Sequence, residues 1–268
     1  MPRIEPLLSP SGARLVAFRG EARVGDDSVA WCASVAHVVE DNSVHAALAS
    51  GWLRGSETTR YGRYVVDHGR RDFLAGRLAA KTALDGLHPT SDPGLAWEIV
   101  PGAWSRPIVR GPAAGFALTL AHAGGIGVAI AHDDRWRCGI DIERREHQAV
   151  DTIRTQLTPA ETAWAETKPA MPLQEEDTSA RWFALWTARE AFGKLLGTGL
   201  GLPEALLPTS DWAPLGSGWT AALAGNNSFA IQTAVDARVV VSLAMPNGSL
   251  TLETRAALQA WFADALRR

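Results

Sequence analysis

The segment from about Ala180 to Leu196 is the tightest constraint on what this chain can fold into. It reads as a helix stopped by Gly197, Gly199 and Gly201, and it carries Trp182, Phe183, Trp186, Leu195 and Leu196. A helix that apolar has to be packed rather than left on the surface. It also carries Glu190 and Lys194, one turn apart and therefore on one face. Glu placed four residues before Lys is the favoured order for an exposed pair worth ~0.3–0.5 kcal/mol. An exposed pair has little reason to sit beside so much buried aromatic area. A second segment, Gly139-Ile140-Asp141-Ile142-Glu143, reads as a strand whose period-two alternation sends Asp141 and Glu143 to the same face. Acidic residues have poor strand propensity, so two of them in an apolar strand ask for a reason. If strand and helix meet, three carboxylates and one ammonium converge. Carboxylates that close repel unless a cation joins them or one keeps its proton. A hard, oxygen-seeking ion such as Mg²⁺ is the simplest candidate, and such ions commonly bring phosphates with them.

Composition narrows the classes. The 268 residues are 46% apolar and 21% charged, which is ordinary for a globular chain and argues against disorder. A formal net charge of −3 provides no global field for nucleic acid. Basic groups are nonetheless concentrated locally at Arg60, Arg63, Arg70, Arg71, Arg77 and Lys81. Two cysteines, Cys32 and Cys138, are too few for a disulfide framework or a Cys-rich zinc site and suit a reducing compartment. No signal-peptide pattern opens the chain and no 18-residue apolar stretch could span a membrane. The expectation is a cytoplasmic, soluble monomer without nucleic-acid or membrane partners.

Strand-like runs occupy Arg14–Phe18 and Ser28–Val35, followed by a basic helix from about Arg70 to Leu87. Its apolar positions Phe73, Leu74, Leu78 and Leu84 keep helical spacing, with Arg71, Arg77 and Lys81 in other directions. The Gly/Pro-rich stretch Pro101–Ala114 reads as loop. Phe116–Leu120 and Gly125–Ala131 read as strands, and His132-Asp133-Asp134-Arg135 as a hairpin turn into a strand from Trp136 to Glu143. Thr158-Pro159-Ala160-Glu161 carries a capping-box signature for a helix start. Lys168–Asp177 is polar and contains Pro, the pattern of a mobile loop. Trp219–Leu223, Phe229–Ala234 and Ala237–Ala244 read as an antiparallel set, closed by a helix over Thr251–Leu266. Strands then helix in each half give an α+β class with two similar lobes. Their boundary falls near Asp134, dividing the chain into 1–134 and 135–268. No phosphate loop of the G-x-x-x-x-G-K-[ST] type occurs, and Gly197-Thr198-Gly199-Leu200-Gly201 follows a helix, which excludes a Rossmann fingerprint.

Taken together, Gly139–Glu143 and Trp186-Thr187-Ala188-Arg189-Glu190-Ala191-Phe192-Gly193-Lys194 resemble the G-x-D-x-E and W-x-x-K-E-x-x-x-K signatures of 4′-phosphopantetheinyl transferases, specifically the longer single-chain type that activates surfactin-like synthetases. Arg189 replaces the usual Lys and keeps the charge. Upstream, Arg70-Arg71-Asp72-Phe73-Leu74-Ala75-Gly76-Arg77 resembles the family's R-x-x-x-x-x-G-R segment, Ser105-Arg106-Pro107 its G-K-P, and Leu118-Thr119-Leu120-Ala121-His122-Ala123 its F-N-x-S-H-S. Thr119, Ala121 and Ala123 depart from the family's Asn, Ser and Ser, and the two alanines remove hydroxyls that could touch the cofactor.

The resemblance implies two similar, pseudo-symmetric lobes, each a small antiparallel sheet packed with helices, with coenzyme A in the cleft between them. It implies transfer of the 4′-phosphopantetheine arm to a serine of an acyl- or peptidyl-carrier protein of fatty-acid, polyketide or nonribosomal-peptide synthesis, with release of adenosine 3′,5′-bisphosphate. Asp141, Glu143 and Glu190 would hold Mg²⁺, and Lys194 would add a point charge. Arg70, Arg71, Arg106 and His122 would hold the nucleotide phosphates, and Glu190 or a metal-bound water would act as base. Carrier contacts would fall on the helix starting at Thr158 and the loop around Lys168. Two rivals stay open. A Mg²⁺-dependent pyrophosphate hydrolase would need more acidic ligands on one helix than Glu190. A non-catalytic carrier-binding relative would be consistent with Ala121 and Ala123.

Overall fold

The computed structural model describes residues 3–4, 11–103, 106–146, 149–166, 179–199, 201, 212–216, 218–223 and 228–267. The chain divides into two compact units, Met1–Trp136 and Arg137–Arg268. Each is α+β, and each is built on a five-stranded antiparallel sheet. Among the described residues no helix is long and apolar enough to cross a membrane.

The first unit contains β1 (Arg3–Ile4), β2 (Ala13–Val24), β3 (Asp27–Val38), α1 (Asn42–Trp52), α2 (Ser56–Gly62), α3 (Asp67–Leu87), α4 (Pro93–Ala96), β4 (Glu98–Pro101), β5 (Pro107–Arg110), β6 (Phe116–Ala123) and β7 (Ile126–Asp133). Its main sheet runs β1-β2-β3-β7-β6. β2 and β3 form a long hairpin with Val24 opposite Asp27, turned at Gly25, which adopts a φ of 62° that an L side chain rarely tolerates. α3 lies on β3, β6 and β7. Phe73, Leu74, Leu78 and Leu84 are all buried there, as their spacing predicts. A side chain on Gly127 of β7 would collide with the Ala75 carbonyl of α3, so only glycine lets strand and helix approach this closely.

The basic residues of α3 behave differently from the sequence expectation. Arg77 and Lys81 are buried with the core, and both pair with Glu57 of α2, which is itself 1% exposed. Lys81 Nζ lies 2.7 Å from Glu57 Oε2 and also donates to the Trp52 and Gly94 carbonyls at 2.5 and 2.8 Å. Arg77 Nε lies 3.2 Å from Glu57 Oε1, with its guanidinium 4.4 Å from the centre of the Phe73 ring. The backbone N–H groups of Arg54 and Ile99 complete the carboxylate's partners at 3.1 Å each. Burial pushes Arg77 down to about 10 and also lowers Lys81, against the pull of Glu57. These cations tie α1, α2, α4 and β4 to α3. Periodicity shows which positions are apolar, but it cannot show a buried carboxylate arriving from another helix.

Two further expectations are corrected. Within Pro101–Ala114, β5 pairs with β4, Pro101 opposite Pro107, so the stretch contains a hairpin arm. Proline as first residue of a strand costs no ladder donor, and Ile108-Val109 supply the β-branched pair. The hairpin from His132 into Trp136–Glu143 does not form either. β7 ends at Asp133, Arg135 turns back to pair with Asp133 and Asp27, and Trp136 packs against Trp31 and His132.

The second unit contains β8 (Gly139–Arg144), α5 (Val150–Arg154), α6 (Pro159–Glu166), α7 (Ser179–Leu196), β9 (Ala213–Leu215), β10 (Gly218–Leu223), β11 (Phe229–Val235), β12 (Val239–Pro246) and α8 (Leu252–Arg267). Its sheet runs β8-β12-β11-β10-β9, so the acidic strand is an edge strand whose partner is β12, about a hundred residues away along the chain. Asp141 pairs with Ser242, and Ser242 with Thr233, so these three share a face. α7 packs on it, with Thr187 Oγ1 2.6 Å from Ser242 Oγ. Gln232 and Thr220 alternate to the opposite face, where Arg255 of α8 reaches both. At the start of α6 the Thr158 N–H donates to Glu161 Oε2 at 2.8 Å while the Glu161 N–H donates to Thr158 Oγ1 at 3.2 Å, the reciprocal capping box read from the sequence. The Lys168–Asp177 segment and Ser105 lie outside the described residues.

Lys81→Met should lower the stability of the first unit by about 3 kcal/mol or more, because it leaves the Glu57 carboxylate buried with one cation fewer. Urea unfolding followed by tryptophan fluorescence measures this, and a shift under ~0.5 kcal/mol would show that Arg77 suffices.

Candidate active site

The site in the second unit starts from a glycine. A Cβ on Gly139 would collide with the carbonyl oxygen of Ala191 and sit 2.6 Å from the Leu195 nitrogen, so β8 lies directly on the backbone of α7. Two and four residues later the same face of the strand presents Asp141 and Glu143. α7 is buried along almost its whole circumference. Trp186, Glu190 and Lys194 are each half-buried, at i, i+4 and i+8, and form a single stripe.

Lys194 Nζ donates to Asp141 Oδ1 at 2.7 Å and to the Ile140 carbonyl at 3.1 Å. Asp141 is 6% exposed, and its second oxygen, Oδ2, is buried without a hydrogen-bond donor. Burial pushes the Asp141 carboxyl up while Lys194 pulls it back. Glu143 is pushed up to about 7, mainly by burial, then by the Asp141 charge and by Glu190; a hydrogen bond from Trp186 and the Lys194 charge oppose this. Glu190 is also raised, first by burial and then by Asp141, with Lys194 acting in the other direction. One ammonium thus serves three carboxyls, with Asp141 making both glutamates harder to ionise and Glu190 adding to the effect on Glu143.

This imbalance fits a hard cation. All three groups offer oxygen ligands, and Asp141 Oδ2 is a buried carboxylate oxygen without a hydrogen-bond donor, the chemistry a hard cation prefers. As the side chains stand, they are a charge cluster and not a ready-made cage. Among the described residues no group of three or more His, Cys, Asp or Glu side chains is arranged to hold a metal ion.

The remaining candidates lie in the first unit. Arg70 Nε donates to the Tyr64 carbonyl at 2.9 Å, and its NH1 is 3.7 Å from Asp67. Arg71 is buried, with an ion pair to the exposed carboxylate of Glu40. Asp72 accepts from the Gly125 N–H at 2.5 Å, which holds the β6–β7 turn against the start of α3. His122 is exposed on β6 and lies over Gly76, where an added Cβ would come within 2.8 Å of the imidazole. Arg106 is exposed, and its charge is among the influences that hold the buried His132 below the usual histidine range, behind burial itself. Thr119, Ala121 and Ala123 point to the sheet face opposite His122 and are buried, so the two missing hydroxyls belong to an interior layer.

Sequence reasoning placed Trp186 among the packing aromatics and overlooked its indole donor to Glu143; the i, i+4, i+8 spacing with Glu190 and Lys194 was the available signal. It also overlooked Ser242, which hooks β12 to Thr187 beside Asp141. That link spans 55 residues and has no local signature.

Comparison with known proteins bears on the same stretch. Residues 137–233 match the family model described as the 4′-phosphopantetheinyl transferase superfamily, a span that takes in Asp141, Glu143, Glu190 and Lys194. No curated protein matches the chain.

Two outcomes follow from this geometry. Gly139→Ala should destabilise the second unit by about 2 kcal/mol, since its clash is with backbone and no side chain can move aside; an unaltered urea midpoint would show that β8 can lift from α7 at no cost. In metal-free protein the Glu143 carboxyl titrates near 7 against an ordinary 4.5. The unfolded chain therefore loses its proton first, so stability is full below about 4.5 and is lost as pH rises through about 7. Glu143→Gln should flatten that decline in unfolding free energy, measured with a chelator present, and an unchanged slope would assign the titration to other groups.

Proposed function

Because residues 137–233 match the family model of the 4′-phosphopantetheinyl transferase superfamily, we propose that this chain transfers the 4′-phosphopantetheine arm of coenzyme A to a serine hydroxyl of an acyl- or peptidyl-carrier protein. Adenosine 3′,5′-bisphosphate is the other product. The observation that carries this reading is the seating of Asp141 and Glu143 against Glu190 and Lys194 within that domain.

In the reaction the serine oxygen attacks the β-phosphorus of the coenzyme A pyrophosphate. A new P–O bond forms, the bond from that phosphorus to the bridging oxygen breaks, and the serine proton departs. Asp141, Glu143 and Glu190 would hold Mg²⁺, which when bound neutralises the pyrophosphate oxygens and the leaving phosphate. Lys194, anchored on Asp141 and the Ile140 carbonyl, adds a point charge that the helix keeps in place. Glu190, one turn from Lys194 on the same face of α7, takes the serine proton in this reading, with a water on the metal as the rival base. Arg70, Arg71, Arg106 and His122 are assigned to the nucleotide phosphates, with Arg71 exchanging the Glu40 carboxylate for a phosphate oxygen.

The test is direct. Incubated with apo carrier domains, coenzyme A and Mg²⁺, the protein should add the mass of one phosphopantetheine group to the carrier, read by intact mass spectrometry. Asp141→Asn should reduce that transfer to background while circular dichroism stays native. No mass gain on any of several fatty-acid, polyketide and peptide carriers would sink the proposal.

A further inference from the structure

Arg189 immediately precedes Glu190, and a cation at that point invites the role of one more phosphate ligand. Its contacts lead elsewhere. NH1 donates to the Gln156 carbonyl and lies 3.6 Å from Glu161 Oε2, with the side chain mostly buried. Glu161 is the third residue of α6 and 1–2% exposed, and its Oε2 also receives the Thr158 N–H of the capping box. Its other oxygen is buried without a hydrogen bond. Arg189 thus supplies the charge that this interior carboxylate needs.

A second arginine of α7 holds the other end of α6. Arg181 NH1 donates to the Trp164 carbonyl at 2.8 Å, and its guanidinium lies 4.9 Å from the centre of the Trp164 ring. Arg181 and Arg189 are two turns apart, about 12 Å along the helix, and α6 is about as long. α6 buries Glu161 and Ala165 and rests Trp164 against Trp212 and Trp219, so its apolar packing is concentrated in its second half. Two guanidinium clamps add to that packing, one at each end of an antiparallel neighbour.

We propose that Arg189 is a positioning residue. It acts through Glu161 and the Gln156 carbonyl to lock the start of α6 to the turn of α7 that carries Glu190, and so fixes the direction in which Glu190 faces Asp141. The catalytic half of this statement rests on the transferase reading above; the clamp itself does not.

The experiment combines Arg189→Met, Glu161→Gln, their double variant and Arg189→Lys in the full chain. In urea unfolding, Arg189→Met alone strands a buried carboxylate, so the double variant should be at least as stable as Arg189→Met. In the transfer assay, Arg189→Met should lower kcat about tenfold and leave KM for coenzyme A within about twofold, the pattern of a supporting partner. Glu161→Gln should reproduce the loss in kcat, and Arg189→Lys, which keeps one ion pair, should recover most of it. If Arg189→Met fails to fold, Glu161→Gln carries the kinetic arm. Additive stabilities would overturn the clamp. A raised KM for coenzyme A in Arg189→Met with Glu161→Gln unaffected would make Arg189 a phosphate ligand, and lost stability with kcat intact would make it structural only. A wild-type protein that transfers nothing would sink the function proposed above, while the stability cycle, which needs no substrate, still decides on the clamp.

Discussion

Direct backbone contact between a strand and a helix, permitted by one glycine, is the constraint on which the rest of this structure depends. In the second unit it is Gly139 against Ala191 and Leu195; in the first it is Gly127 against Ala75. Removing the side chain at the crossing lets the helix sink until peptide groups touch. The residues that follow on the strand are then held at a fixed height against the helix. Asp141 can therefore reach Lys194 within 2.7 Å even though its partner comes from 53 residues downstream. A looser crossing would leave the two charges to water, where such a pair is worth little.

The two units treat buried charge in opposite ways. In the first, each oxygen of Glu57 has one cation and one backbone N–H, Lys81 is held by two further carbonyls, and Arg77 lies over a ring although its Nε makes no hydrogen bond. The carboxylate is fully matched, and what this produces is rigidity. In the second, one lysine serves three carboxyls, and an oxygen of Asp141 is left over. An unbalanced cluster of this kind costs stability. Carboxyls perturbed in this way by burial and by neighbouring charge are concentrated at functional sites.

Much of this was legible beforehand, for identifiable reasons. Strand alternation placed Asp141 with Glu143, helical spacing placed Glu190 with Lys194, and Thr158 with Glu161 announced the start of α6. Those are local regularities, and local geometry enforces them. What could not be read was non-local. The strand run ending in Glu143 looked like the second arm of a hairpin, because nothing in five residues tells whether their ladder partner is the preceding strand or β12. Arg77 and Lys81 read only as basic groups pointing away from the apolar stripe of α3, because the carboxylate that draws them inward belongs to a short helix that hydrophobic periodicity does not reveal. Pro107 looked like loop punctuation, because its tolerance at a strand start depends on which edge it occupies.

The enclosure of Lys81 has a chemical corollary. With its ammonium fully inside the protein and three oxygen acceptors around it, this lysine presents no lone pair to an electrophile in the native state. Acylating reagents that decorate surface lysines would pass it over. Its labelling then becomes a clock for the opening of the first unit, recorded at one nitrogen atom.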